Sequence, residues 1–254
     1  MALLRFVLAA AILWPLGERA RRGRTIDPAD HRAFWLLGAL AIPLNQGLFL
    51  VGLQWTTVGH SALLYALTPL FVMLLAAWRL RERITLGRAA GILLAFAGVL
   101  IVLLEYGIDL SAGQFTGDLL ILLAVLAWSY YTVLGKPYIR KYGAMVVTAR
   151  AMTYGTILFL PIGLVSIWSF QPASVGTDAW LGLLYCAIGT SVIAYTLWYW
   201  ALNFIDAAQV AVFNNFQPVI ATVLGWLLLG EPITLTFVAG GVLVLIGVFV
   251  TEKL

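Results

Sequence analysis

Charge and metal-binding side chains are scarce in this chain of 254 residues: Asp, Glu, Lys and Arg together make up 10% of it, and it holds two histidines and one cysteine. The lone Cys186 excludes a disulfide framework and any multi-cysteine metal site, and His31 and His60 do not amount to a histidine cluster, so no metal or cofactor is expected. No Gly-rich loop with a following lysine is present to cradle a nucleotide phosphate. So little charge also excludes an ordinary soluble domain, in which about a quarter of residues are charged.

What the chain has instead is apolar length, with 63% of its residues hydrophobic. At about 20 apolar residues per membrane-crossing helix, nine runs qualify, bounded by charge, Pro, Gly or Asn: 2 to 17, 33 to 53, 60 to 78, 87 to 105, 117 to 135, 145 to 169, 179 to 202, 208 to 229 and 234 to 251. They are continuously apolar, whereas barrel strands would alternate, so the expected fold is all-α and integral to the membrane. The first run is not read as a signal peptide, because a signal peptide carries its positive charge before the apolar region and here Arg19, Arg21, Arg22 and Arg24 follow it.

The net charge of +4 is a matter of topology, not of a nucleic-acid partner. Basic residues recur in alternate loops: Arg19 to Arg32, then Arg79, Arg81, Arg83 and Arg88, then Lys136, Arg140 and Lys141. The loops between them, near 54–59, 106–116 and 170–177, have none. Basic loops face the cytoplasm, which places the C-terminus inside if the short loop 203–207 is also cytoplasmic.

Sliding the chain by 149 positions lays Pro69 on Pro218, Glu82 on Glu231, Ile84-Thr85-Leu86 on Ile233-Thr234-Leu235, Gly91 on Gly240 and Gly98 on Gly247. Upstream the offset falls to about 145 and pairs Trp35 with Trp180 and Arg5 with Arg150. Arg79, Arg81, Arg83 and Arg88 meet Leu228, Gly230, Pro232 and Phe237, so the loop that is basic in one copy has no base in the other. The copies therefore face opposite ways, the ground plan of many secondary transporters. The expected organisation is a first copy at 1–105 with four helices, an external connecting loop at 106–116, and a second copy at 117–254 with five. The counterpart of the run at 117 to 135 would precede Met1, so the plan has nine helices with its first apparently missing.

Two units ending in Pro, about a dozen apolar residues, Glu, Ile-Thr and a Gly-spaced helix resemble the EamA family of the drug/metabolite transporter superfamily. The stretches that carry the resemblance are Thr68-Pro69 through Glu82-Arg83-Ile84-Thr85 and Gln217-Pro218 through Glu231-Pro232-Ile233-Thr234, with Gly117-Asp118-Leu119 and Trp128-Ser129-Tyr130-Tyr131 opening the second unit. The resemblance implies a ten-helix plan in a bacterial inner membrane and export of amino acids or other small metabolites.

Polar residues inside spans are the candidates for contact with a solute. Asn214, Asn215 and Gln217 precede Pro218 and offer both donors and acceptors, and Tyr65 and Thr68 precede Pro69 in the other copy. The alternative is that these groups bond across helices as packing glue. Asn45 and Gln46 stand mid-span beside Pro43, Tyr195 lies in the matching region, and Trp128, Ser129 and Tyr131 add an aromatic group. Arg5 and Arg150 are candidates for a gate or for attracting anionic solutes, against simple snorkelling to opposite surfaces. Glu82 and Glu231, with Pro69 and Pro218, take structural roles, each carboxylate near the start of a following helix. No span carries a mid-membrane carboxylate for a proton relay, which points to facilitated diffusion or exchange by alternating access. A non-transporting or truncated membrane protein is the alternative, and an integral membrane enzyme is disfavoured because the spans offer no catalytic set.

Overall fold

The computed structural model describes residues 1–56, 58–105, 115–165, 175–217, 219–220, 223, 227 and 234–253. Among them are nine helices and no strand. These are α1 (Ala2–Arg21), α2 (the continuous helical stretch Pro28–Gly52), α3 (Ser61–Leu80, turned at residues 66–67) and α4 (Leu86–Glu105). The rest are α5 (Phe115–Tyr142), α6 (Ala144–Val165), α7 (the stretch Thr177–Ala201), α8 (from Ala207–Val212 into the 3-10 turn Phe213–Asn215) and α9 (Leu235–Lys253). Of these, α2, α3, α5, α6 and α7 are long and apolar enough to cross a membrane, and α4 and α9 carry the shorter apolar stretches Leu86–Ile101 and Leu235–Thr251.

The helices overrun the apolar runs where neighbours pack on their ends. α5 continues from 135 to Tyr142, so Lys136, Arg140 and Lys141 sit on a helix and not in the loop expected for them. Lys136 and Ile139 are buried there, and Phe34 packs on Tyr138 and Tyr142 at ring distances of 5.9 and 5.7 Å. An apolar run marks the part of a helix suited to hydrocarbon, but tertiary contact carries the helix beyond it. The turn to α6 is left with Gly143 at φ +87°, a backbone conformation that favours glycine.

The chain packs as two compact units, Met1–Gly47 with Leu134–Phe204, and Leu48–Val133 with Ile205–Leu254. They do not follow the two copies in sequence. The first holds α1 and α2 as far as Gly47 with their repeat mates α6 and α7, the second holds α3 and α4 with their mates α8 and α9, and α5 divides between them after Val133.

Three pairs of mates pack on each other: α1 on α6, α3 on α8 and α4 on α9. In the second unit, a Cβ on Gly98 would stand 2.5 Å from the Gly240 carbonyl oxygen, and one on Gly91 would stand 2.7 Å from that of Gly247. Gly91 repeats as Gly240 and Gly98 as Gly247, so each glycine meets the mate of the other. Such an exchange of partners is the mark of a twofold contact between antiparallel helices, and the missing side chains let the backbones close. In the first unit α1 and α6 cross in the same sense, with Gly17 against Ala149 and Gly163 against Leu3.

The Ile-Thr of each copy caps the helix after it: Thr85 Oγ1 accepts from the Arg88 N–H at 3.1 Å, and Thr234 Oγ1 from the Phe237 N–H at 3.1 Å. The sequence expectation that Glu82 serves the helix after its own Ile-Thr is corrected by the bond the structure shows, which is to another helix. The Glu82 carboxylate accepts from the Ala207 N–H at 3.2 Å and so caps α8. There it joins a capping box of Asp206 and Gln209, and Arg88 pairs with Asp206 at 2.7 Å. Glu231, Pro218 and the connecting loop 106–114 lie outside the described residues.

Candidate functional site

The repeat mates α2 and α7 are wound wider than an α-helix at matching places. Leu40–Gly47 in α2 and Cys186–Ala194 in α7 are π-helical. In α2, Pro43 lies within the wide segment and removes a backbone donor. In α7 the Cys186 carbonyl accepts from two hydroxyls, Thr190 Oγ1 at 2.6 Å and Ser191 Oγ at 3.1 Å. Wide turns of this kind re-aim side chains and recur at functional sites.

In the first unit the wide segment of α2 delivers two of the expected residues to a polar group. Arg5 Nη2 donates to Gln46 Oε1 at 2.7 Å, and Gln46 Nε2 donates to Asn45 Oδ1 at 2.8 Å. Asn45 is buried. From α7, the buried Tyr195 hydroxyl reaches the Ala41 carbonyl oxygen, within the same wide segment of α2, at 3.4 Å. Arg5, Asn45, Gln46 and Tyr195, picked out on three separate runs of sequence, thus form one cluster. The Arg5 guanidinium lies over the Phe6 ring at 4.3 Å, a cation–π placement.

Arg150, the repeat mate of Arg5, is held differently. It forms an ion pair with Glu18 and lies over the Trp14 ring at 4.1 Å, while Glu18 also takes Arg21 at 2.7 Å. Glu18 did not stand out in the sequence, because its partner lies 132 residues away on α6.

The second unit holds the remaining candidates. Asn215 closes the 3-10 turn of α8 and is fully buried, and neither amide atom finds a hydrogen-bond partner among the described residues. Asn214 is half-buried and Gln217 exposed. In α3, Thr68 Oγ1 donates to the Tyr65 carbonyl at 2.6 Å across the turn before Pro69, and Tyr65 meets Phe49 edge-on at 5.5 Å. In α5, Trp128 stacks on the buried Tyr131 at 5.2 Å. Ser129 Oγ donates to the Val125 carbonyl of its own helix at 2.8 Å, which commits that hydroxyl to packing.

A groove of about 400 Å³ in the first unit, where Ala20, Tyr142, Met145, Leu197, Trp200 and Asn203 meet, contains none of the expected site residues. Its lining is apolar and lacks the convergent polar groups of a solute site.

Helices apolar enough to cross a bilayer, packed antiparallel on their repeat mates, define a multi-pass membrane protein. The chain belongs to the EamA-like transporter family, which it matches over residues 1–104 and 115–252. It is similar to an "Uncharacterized transporter" of Archaeoglobus fulgidus, 31% identical over 258 residues that span 100% of this chain and 88% of that one. It is also similar to "Uncharacterized transporter YyaM" of Bacillus subtilis, 29% identical over 96% of this chain and 81% of that one. A "Probable terminal-alkyne amino-acid exporter" of Streptantibioticus cattleyicolor is 30% identical over 97% of this chain and 80% of its own length. A solved crystal structure superposes with a TM-score of 0.81 at 22% identity, covering 98% of this chain and 85% of the other, which shows the shared fold.

Proposed function

We propose that the protein is a secondary transporter that exports amino acids or other small metabolites from a bacterial cytoplasm by alternating access, through facilitated diffusion or exchange. The observation that carries the reading is Asn215, fully buried with an amide that has no partner among the described residues. A buried amide without a hydrogen bond costs about 1–3 kcal/mol, so packing alone disfavours it. A solute with donors and acceptors of its own satisfies both amide atoms when it arrives. The name of the Streptantibioticus cattleyicolor relative supports amino acids as the solute class.

Several contacts support the sidedness of this reading, because each joins segments that fall on the same side when the spans are counted from the basic ones. Lys141 pairs with Asp30 at 2.6 Å, Arg88 with Asp206 at 2.7 Å, and Thr56 Oγ1 donates to Asp118. The contact of Gly91 with Gly247 and Thr251 puts the end of α9 beside the start of α4, the side of the basic loop 79–88. On this reading the C-terminus is cytoplasmic, in keeping with the distribution of arginines.

Counterflow in proteoliposomes preloaded with each of the twenty amino acids tests the reading. Saturable uptake of at least one labelled amino acid is expected, with Asn215→Leu lowering the rate at least about ten-fold, the loss of one hydrogen bond to a solute group. Rates that remain unchanged in Asn215→Leu, Asn214→Ala and Gln217→Ala would remove these residues from the solute path.

A further inference from the structure

The two repeat-related arginines differ in one chemical respect. Arg150 has a carboxylate, Glu18, while Arg5 has none within ion-pair distance among the described residues. Lys141 and Arg88 likewise have Asp30 and Asp206. Arg5 is therefore a guanidinium one turn inside α1 whose protein partners are neutral, the Gln46 amide oxygen and the Phe6 ring. Its Nε is buried and finds no hydrogen-bond partner among the described residues.

A guanidinium stays protonated in any protein environment and carries five N–H donors in a flat fork. A charge in an apolar span requires either water at the surface or an opposite charge. Here the head turns to Gln46 of the neighbouring α2, in a part-buried hydrogen bond between two helices. Phe6 covers one face of the guanidinium and Gln46 takes one N–H, which leaves the buried Nε–H and the other Nη protons to be matched. Two adjacent N–H groups in a plane fit the two oxygens of a carboxylate.

We propose that Arg5 is the anion anchor of the transporter and binds the carboxylate of the solute, so that the substrate class is the free carboxylic acid form of an amino acid or small metabolite. Gln46 is the positioning residue: its amide oxygen holds the guanidinium while its own N–H is held by Asn45. The Tyr195 hydroxyl stands at the same cluster to bond the solute beside its carboxylate. Glu18 excludes this role for Arg150, whose charge is already matched. The inference rests on the transport reading for its biological meaning, but the anchor can be read by binding alone.

The probes are the twenty amino acids and their carboxamides, which keep the side chain and amine and lose the anionic group. Binding is read as the thermal shift of full-length protein in detergent, and transport as counterflow in proteoliposomes. Wild type is expected to be shifted and driven by at least one acid and not by its carboxamide. Arg5→Gln should raise the apparent KM for that acid about ten- to a hundred-fold, the range of one hydrogen-bonded charge, and abolish the preference over the carboxamide. Arg5→Lys, which keeps the charge without the fork, should retain the preference with weaker binding. Arg150→Gln should leave the preference intact. Equal shifts by acid and carboxamide in wild type, or an unaltered preference in Arg5→Gln, overturn the anchor. So does a wild type shifted by no acid, or shifted only when anionic lipid is restored, which would give Arg5 to a lipid phosphate. Shifts by acids without counterflow keep the anchor and remove the transport reading. Counterflow with no acid preference does the reverse.

Discussion

At the scale of single residues, the informative side chains are those whose packing is poor. Asn215 has no exposed surface and an amide unmatched among the described residues, whereas Thr68 and Ser129, also buried, spend their hydroxyls on carbonyls of their own helices. If Asn215 is retained for a solute, its removal should improve the empty protein. Asn215→Leu has nearly the same shape and no polar atoms, so it is expected to raise the apparent melting temperature in detergent while lowering flux. Relief of an unpaired amide is worth about 1–3 kcal/mol. A melting temperature that falls by several degrees would show that the amide is satisfied and structural.

At the scale of elements, the sequence located the helices but not their ends or their winding. Hydropathy found all nine runs, yet it placed Lys136, Arg140 and Lys141 in a loop because it does not register that Ile139 and Tyr138 still have neighbours to pack on. The π-helical segments Leu40–Gly47 and Cys186–Ala194 were invisible for a similar reason. One contains a proline and the other relies on Thr190 and Ser191, so no shared residue pattern marks them. The amides beside the prolines were legible, since a polar group in an apolar run needs a reason wherever it lies. That Arg5, Gln46 and Tyr195 converge was not, as it depends on how α1, α2 and α7 cross. The Ile-Thr pair was noticed as a repeat, and its physical role is now plain: each threonine accepts from the N–H three residues on. Thr85→Ala and Thr234→Ala should each cost about 1 kcal/mol, the usual value of a helix N-cap. Thermal melts of the two variants check this, and Thr→Asp at either position should restore much of the loss, because aspartate caps as well as threonine does. Equal melts for wild type and both alanine variants would mean the helix starts are held by other contacts.

At the scale of the whole molecule, the duplication explains both the packing and the charge. Each compact unit contains repeat mates from both copies, and in the second unit α4 and α9 cross with exchanged partners, Gly91 on Gly247 and Gly98 on Gly240. Antiparallel mates are what inverted copies produce, and the proposed direction of the inversion rests on the basic residues. Because the loops touch others of the same assigned side, the topology stands or falls as one. Gln54, between α2 and α3, is assigned outside, and Lys253, at the end of α9, is assigned inside. Both are exposed, and the native thiol is Cys186 alone, so Cys186→Ser gives a clean background. With Gln54→Cys or Lys253→Cys added and the protein expressed in intact cells, a membrane-impermeant maleimide should label position 54 and not 253. Opening the cells should add label at 253. Labelling of both from outside would place the two ends of the plan on one face and undo the inverted topology. Labelling of 253 and not 54 would invert the whole chain, leaving the mate contacts intact but assigning the basic loops to the external face.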